Sequence, residues 1–193
     1  MSEPEQTDEK SAITLMLASI GERPVNDIDT SQRLDVIRAR KALNEVNVSW
    51  QTRGWWFNRE DKIELVPNGS KELTLPANVV KVDAWKRGVK KFVKRGRKMY
   101  NNDTRSFIDN DDNLFVNWVV LLPYDDCPET FKLYVARRAG SLFQKRSVGS
   151  TALFEFSQED VAEAWALLQQ EEVDQEDSNL REAPDQFDLN YRR

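Results

Sequence analysis

The spacing of apolar residues changes at Gly54, and this change constrains the fold more than any other feature of the sequence. Before Gly54, apolar side chains recur in steps of three and four, the period of one helix face, at Val36, Ala39, Leu43, Val46 and Trp50. After it, Ile63 and Leu65 alternate with polar residues, as in a β-strand. Glycine readily takes the left-handed conformation that ends a helix. The sequence therefore predicts a long helix over residues 31–53, followed by a β domain.

Three further helices are predicted by the same criterion. Residues 9–20 have apolar side chains at helical spacing, another helix follows Pro128, and a last one begins at Ser157. We therefore predict an α+β fold with three parts. These are a bundle of about four helices from residues 9–54 and 124–175, an inserted small antiparallel β domain at 55–123, and an extended C-terminal arm at 176–193.

Turn residues divide the β region into short strands. Asn68-Gly69 readily adopts positive φ and predicts a turn over 67–70, after which alternation resumes at Leu73 and Leu75. The remaining predictions are a strand at 80–84, a tight turn at Arg87-Gly88 into a strand at 89–93, Asn- and Asp-rich loops at 101–113, and a strand at 114–122.

The composition argues against an enzyme. Histidine is absent and Cys127 is the one cysteine, so the commonest general base and the usual ligands of a catalytic zinc are missing. No glycine-rich phosphate-binding motif occurs. We therefore predict no catalytic residue, no metal and no cofactor. We also expect no membrane association, because the apolar runs are far shorter than the roughly 20 residues of a membrane helix and the acidic first ten residues do not resemble a signal peptide.

The formal net charge of −5 conceals a basic stretch at residues 81–105, where ten bases accompany two acids. Three interpretations stay open: lysines that keep a solvated hairpin edge from pairing, a docking surface for an acidic partner or a neighbouring subunit's acidic helix, and nucleic-acid binding with Phe92 and Tyr100 available for stacking. The candidate interaction residues are Lys86, Arg87, Lys90, Lys91, Lys94, Arg95, Arg97 and Lys98.

The C-terminal part is acidic, with twelve acids and one base, Arg181, between Glu155 and Asp188. One interpretation is a solvated helix face with a disordered end. The other is an arm that becomes ordered on binding a partner. We favour the arm, because large apolar side chains are spaced along this polar segment at Leu180, Phe187, Leu189 and Tyr191.

Several short blocks carry a family resemblance. The two most specific are LASIGERPV at residues 17–25 and QTRGWWFN at 51–58; the others are RKALN at 40–44, LLPYDDCPETF at 121–131, RRA at 137–139 and FQKR at 143–146. In this order they resemble the tail tubular protein A family of short-tailed bacteriophages, over about residues 12–175. The residues to which we assign structural roles are Gly21, Pro24, Gly54, Trp55 and Pro128.

The resemblance implies a structural virion protein with no catalytic step. Members form a head-to-tail adaptor, or gatekeeper, ring of about twelve copies, in which cyclic symmetry repeats one contact. The implied partners are the portal protein, the tail nozzle protein (tail tubular protein B) and the tail fibre protein. The ring would sit in the virion tail after assembly in the host cytoplasm, help retain DNA, and let it pass during ejection without specific recognition.

Two alternatives to the adaptor come from the residues. One is a nucleic-acid-binding protein that uses a basic hairpin at 86–98. The other is a carboxylate-based glycan hydrolase of the tail, since two carboxylates suffice for glycoside hydrolysis. Adjacent acids occur at Glu60/Asp61, Asp111/Asp112 and Asp125/Asp126, but a chain with 33 acids contains such pairs by chance.

Overall fold

The computed structural model describes residues 7–84, 92–108, 113–147 and 151–181. Within them the chain has four α-helices and two small antiparallel sheets, which confirms the predicted α+β class. The helices are α1 (Glu9–Ala18), α2 (Leu34–Gln51), α3 (Glu129–Ser147) and α4 (Thr151–Arg181). The strands are β1 (Arg59–Leu65), β2 (Val79–Ala84), β3 (Phe92–Arg95), β4 (Lys98–Asn101) and β5 (Leu114–Val120).

The chain divides into two compact units, and the first is helical. This helical unit comprises Met1–Asn47 and Tyr124–Arg193, and the β unit comprises Val48–Pro123. In the helical unit α3 packs against both α1 and α4. The largest side chains of its core are fully buried: Ile13, Met16 and Leu17 of α1, Phe131 and Phe143 of α3, and Leu168 of α4. Burial of each is worth about 1.5–3 kcal/mol, so packing rather than helix propensity holds the three helices together.

The first turns of α1 and α3 are joined by carboxylates. Asp8 caps α1 by accepting from Ser11 N at 2.7 Å, and Asp125 accepts from Glu9 N at 2.8 Å. Glu129 accepts from Thr7 N at 3.0 Å and pairs, also at 3.0 Å, with the ammonium of Lys132, whose side chain is only 4% exposed. These bonds satisfy amides that a helix N-terminus leaves without partners.

The β unit contains a three-stranded sheet of order β1-β5-β2 and the two-stranded hairpin β3-β4, all antiparallel. One apolar cluster joins them, formed by Leu65, Leu73, Leu75, Val79, Met99, Val116 and Val120. The hairpin turns at Gly96, with φ +61°. Its strand β4 also pairs with the preceding loop, since Met99 N donates to Leu73 O at 2.9 Å.

The turn after α2 is held by side chains. Gly54 has φ +84°, as a helix-ending glycine requires, and its N donates to Gln51 O at 3.1 Å. Trp55 is 3% exposed, and its indole Nε1 donates to Trp50 O at 2.8 Å. Asn58 is also buried; its Oδ1 accepts from Trp55 N at 2.8 Å, and its Nδ2 donates to Gln51 O and Val120 O at 3.0 and 2.9 Å.

Several predicted helix ends are wrong by two to six residues. α1 stops at Ala18 because Gly21, at φ +78°, closes a Schellman motif in which Glu22 N donates to Leu17 O. α2 covers Leu34–Gln51 rather than residues 31–53. α4 begins at Thr151 rather than Ser157 and continues to Arg181, into the segment predicted to be extended. No proline interrupts residues 151–181, so nothing in the backbone stops the helix earlier.

The strand predictions need larger corrections. Leu73 and Leu75, where alternation predicted a strand, lie in a segment of isolated bridges, and β1 pairs with β5. The turn near Asn68-Gly69 exists, but the positive φ, +58°, falls on Lys71. β4 was not predicted, and the predicted turn at Arg87-Gly88 lies outside the described residues.

Gly54 and Gly21 offer a matched test of the helix ends. A Cβ on Gly54 would lie 2.8 Å from Cγ2 of Val119, a stiff β-branched side chain in the core, whereas a Cβ on Gly21 meets nothing within 4 Å. Both alanine variants carry left-handed strain of about 1–2 kcal/mol. We expect Gly54→Ala to lose about 1–3 kcal/mol more than Gly21→Ala in urea unfolding, from overpacking. Equal losses of unfolding free energy in the two variants would show that the Val119 side chain moves aside without cost.

The carboxylate of Glu129 gives a pH-dependent prediction. Burial alone would raise the pKa of Glu129, but hydrogen bonds from Thr7 and Lys132 outweigh it and hold the pKa below its ordinary value. The stabilisation is therefore complete above the ordinary pKa and is lost as pH falls through the lowered one. We expect Glu129→Gln to lower the unfolding midpoint at pH 7 and to converge with the parent chain in acid. Glu159→Gln, at an exposed position on α4, is the control. Its unfolding midpoint should differ from that of the parent chain by no pH-dependent amount.

Candidate interaction surfaces

The β3–β4 hairpin presents two different faces. Its register places Lys94 opposite Met99 and Arg95 opposite Lys98, and partners in an antiparallel pair share a face. Met99 is 1% exposed and belongs to the core of the β unit, so its face is the inner one. We call the opposite side the hairpin outer face and define it as Val93, Arg95, Lys98, Tyr100 and Phe107.

The structure does not bring the described basic candidates together as one row of cations. Lys94 lies half-buried on the inner face. The Lys98 ammonium is 2.7 Å from Oε2 of Glu72, and Arg97 in the turn donates from Nε to Leu75 O at 3.3 Å. Arg95 remains exposed, with its guanidinium over the ring of Tyr100. The density of bases in the sequence therefore overstates the positive charge that this hairpin offers a ligand.

Aromatic contacts organise the hairpin outer face. Cζ of Arg95 lies 3.5 Å from the centroid of the Tyr100 ring, and Phe107 meets the same ring edge-to-face with 5.1 Å between centroids. Val93 and Phe107 are each 37% exposed. An exposed arginine and aromatic rings fixed by each other are side chains that anchor protein interfaces.

α4 presents a second exposed surface, on the helical unit. Its buried side consists of Val161, Ala164 and Leu168. We define the α4 outer face as the exposed residues that recur at helical spacing: Glu159, Ala162, Glu163, Ala166, Leu167, Gln170, Val173 and Asp174. This face is about 22 Å long at 1.5 Å per residue. Leu167 and Val173 are 48% and 57% exposed, so it combines acids with uncovered apolar groups.

The acids of the α4 outer face differ from their neighbour Asp160 in having no ion pair with a described base. Asp160 accepts from Nη1 of Arg137 at 3.1 Å. Glu163 and Asp174 have no ion pair with a base among the described residues, and the helix sequence contains no base before Arg181. The α4 outer face is therefore strongly negative.

The other predicted interaction residues lie outside what the structure describes. They are Lys86, Arg87, Lys90 and Lys91 in the basic stretch, and Phe187, Leu189 and Tyr191 in the C-terminal segment. Leu180 falls within α4. The exposed apolar groups Phe107, Leu167 and Val173 had no place in the sequence prediction, because a strand or helix pattern does not report which apolar residues the fold leaves uncovered.

Two of the three adjacent carboxylate pairs lie in the described residues, and members of both make contacts within the fold. Oε2 of Glu60 accepts from the indole Nε1 of Trp118 at 2.8 Å, and Asp61 lies 3.9 Å from Nε of Arg59. Oδ1 of Asp125 accepts from the Glu9 amide in the first turn of α1. In both pairs at least one carboxylate is therefore held in a contact within the fold. Asp111/Asp112 lie outside the described residues.

The surroundings of the lone thiol disfavour its thiolate form. Cys127 is buried, and burial, followed by the nearby Asp126 carboxylate, raises the pKa of its thiol to about 12. Across the described ranges, no cluster of three or more carboxylate, imidazole or thiol side chains is arranged to hold a metal ion. None of the helices in those ranges combines the length and the apolar character that a membrane crossing needs.

The chain is an α+β protein, and two of its described faces combine charged side chains with exposed apolar ones. The sequence matches the family model of tail tubular proteins over residues 10–178, and the chain therefore belongs to the tail tubular protein family. It is thus a structural protein of the bacteriophage tail. A comparison with curated proteins found no significant match.

Proposed function

We propose that this protein is the adaptor of the phage, a ring between the portal and the nozzle protein that helps retain DNA and gives tail fibres a docking surface. The observation that carries the proposal is the family match, which extends through both the helical and the β unit. The resemblance of residues 17–25 and 51–58 to tail tubular protein A supports the adaptor role in particular.

A ring needs two different surfaces on each copy, and these must be complementary to each other. In a heterologous contact one patch binds another patch on the next copy, and the contact closes if the rotation divides a full circle. The chain has an aromatic and basic face on the β unit and an acidic face on the helical unit. We propose a twelvefold ring, as the resemblance implies.

We propose no enzymatic activity and no specific recognition of DNA. The described carboxylate pairs are occupied by structural contacts. The face of Tyr100 on which a base would stack is covered by Arg95, and Lys98 is neutralised by Glu72. Strong phosphate contacts along a DNA passage would also slow ejection.

The adaptor role is tested by co-assembly with the portal protein of the same phage. We expect particle images to show a ring of this protein on the portal, and the isolated chain to be monomeric or weakly associated, because each self-contact is modest until many close together. A stable dimer that does not bind the portal would contradict the adaptor role.

The C-terminal segment gives a second test, since we propose that it binds the portal. We expect deletion of residues 182–193, which follow α4, to change the free energy of unfolding by no more than about 0.5 kcal/mol. Portal binding should weaken and filled heads should leak DNA, because the apolar anchors gain burial only on the portal.

A full-length control separates the anchors from the length of the segment. Replacement of Phe187, Leu189 and Tyr191 by serine should reproduce the loss of portal binding. If the truncated chain seals filled heads as well as the full chain, the segment is only a solvated tail.

A further inference from the structure

The hairpin outer face leaves apolar surface uncovered in an otherwise folded unit. Val93 and Phe107 are each 37% exposed, although neighbouring Met99 is buried in the core. Arg95 and Phe107 hold the Tyr100 ring between them at 3.5 and 5.1 Å. Because these side chains are already fixed by one another, little conformational entropy is lost when a partner covers them.

The charge of this face specifies what would cover it. Arg95 is exposed and Arg97 lies beside it in the turn, while the Glu72 carboxylate is taken by Lys98. The covering surface should therefore carry carboxylates next to exposed apolar groups. A duplex would supply negative charge but no apolar side chains to cover Val93 and Phe107.

The α4 outer face has that composition. Glu163 and Asp174 have no ion pair with the bases in the described ranges, and Leu167 lies between them, 48% exposed. Ala162 and Ala166 are small, which lets a strand hairpin approach the helix axis closely. The acidic and apolar groups alternate along about four turns, so a compact two-stranded hairpin can contact both kinds at once.

We propose that the hairpin outer face of one copy docks on the α4 outer face of a second copy. The inference rests on the proposed ring and names its repeating contact. Arg95 meets the carboxylates around Glu163, and Val93 and Phe107 cover Leu167 and the neighbouring alanines. Each copy uses the two faces once, so the contact is heterologous and continues until the ring closes.

Charge reversal tests the pairing. We expect Arg95→Glu or Glu163→Arg alone to raise the chain concentration needed to form rings on the portal by about tenfold or more, because like charges then face each other at every contact. Combining both reversals in one chain should restore assembly to within about threefold of the parent chain. Lys41→Glu, with the same change of net charge at an exposed position on α2, is the matched control and should leave assembly unchanged.

Thiol cross-linking tests the contact without depending on charge. The native Cys127 is buried, with its thiol pKa raised to about 12, so it does not compete for oxidation. We expect portal-bound rings that contain equal amounts of Val93→Cys and Ala166→Cys chains to yield disulfide-linked pairs of the two chains. Val93→Cys mixed with Leu15→Cys, at a 55% exposed site on α1, should yield none.

The outcomes separate this inference from the adaptor role. If the parent chain forms rings and Arg95→Glu forms them equally well, the contact is wrong and the adaptor role stands. If Arg95→Glu forms rings but no longer binds the nozzle protein, or loses salt-sensitive binding to duplex DNA, the hairpin outer face serves that other partner and the contact is again wrong. If the parent chain does not assemble on the portal at all, the adaptor role itself fails.

Discussion

Two buried amide side chains hold the point at which the helix gives way to the sheet. Gln51 is fully buried and exchanges two hydrogen bonds with the backbone of Leu122, at 2.8 and 2.9 Å, as a neighbouring strand would. Nδ2 of Asn58 donates to both Gln51 O and Val120 O, and so joins the end of α2 to β5. Unpaired backbone groups in a core cost about 1–3 kcal/mol each. The glycine turn at 54, the burial of Trp55 and the docking of β5 all depend on these two amides.

The end of α2 could be predicted from the sequence, whereas the pairing of the strands could not. A change of period and a glycine placed the end of α2 within two residues, since both are properties of neighbouring positions. Alternation at Ile63 and Leu65 identified β1 but not its partner β5, which is chosen by tertiary packing. β4 was missed because Lys98–Asn101 contributes few apolar residues, with Met99 the one that enters the apolar cluster.

The same distinction applies to the interaction surfaces. Composition predicted a basic segment, but strand register decides that Lys94 and Arg95 lie on opposite faces. Two other basic side chains are engaged by residues distant from them in the sequence. The Glu72 carboxylate pairs with Lys98, and the carbonyl of Leu75 accepts from Arg97. The acidity of α4 was visible in the sequence, whereas the exposure of Leu167 and Val173 depends on which side of the helix α3 covers.

The irregularity of β1 has a consequence for assembly at high concentration. β1 lies at an edge of its sheet, where a free ladder invites a strand of another molecule. Its register shifts between Glu60 and Ile63, and Lys62 there takes φ +58° and donates its N–H sideways to Oδ1 of Asn117. A bulge bends its strand and interrupts the ladder, so a strand added at this edge would not meet a continuous row of partners. We therefore expect the bulge to disfavour open-ended stacking of copies through this edge, a form of association that would compete with any closed assembly.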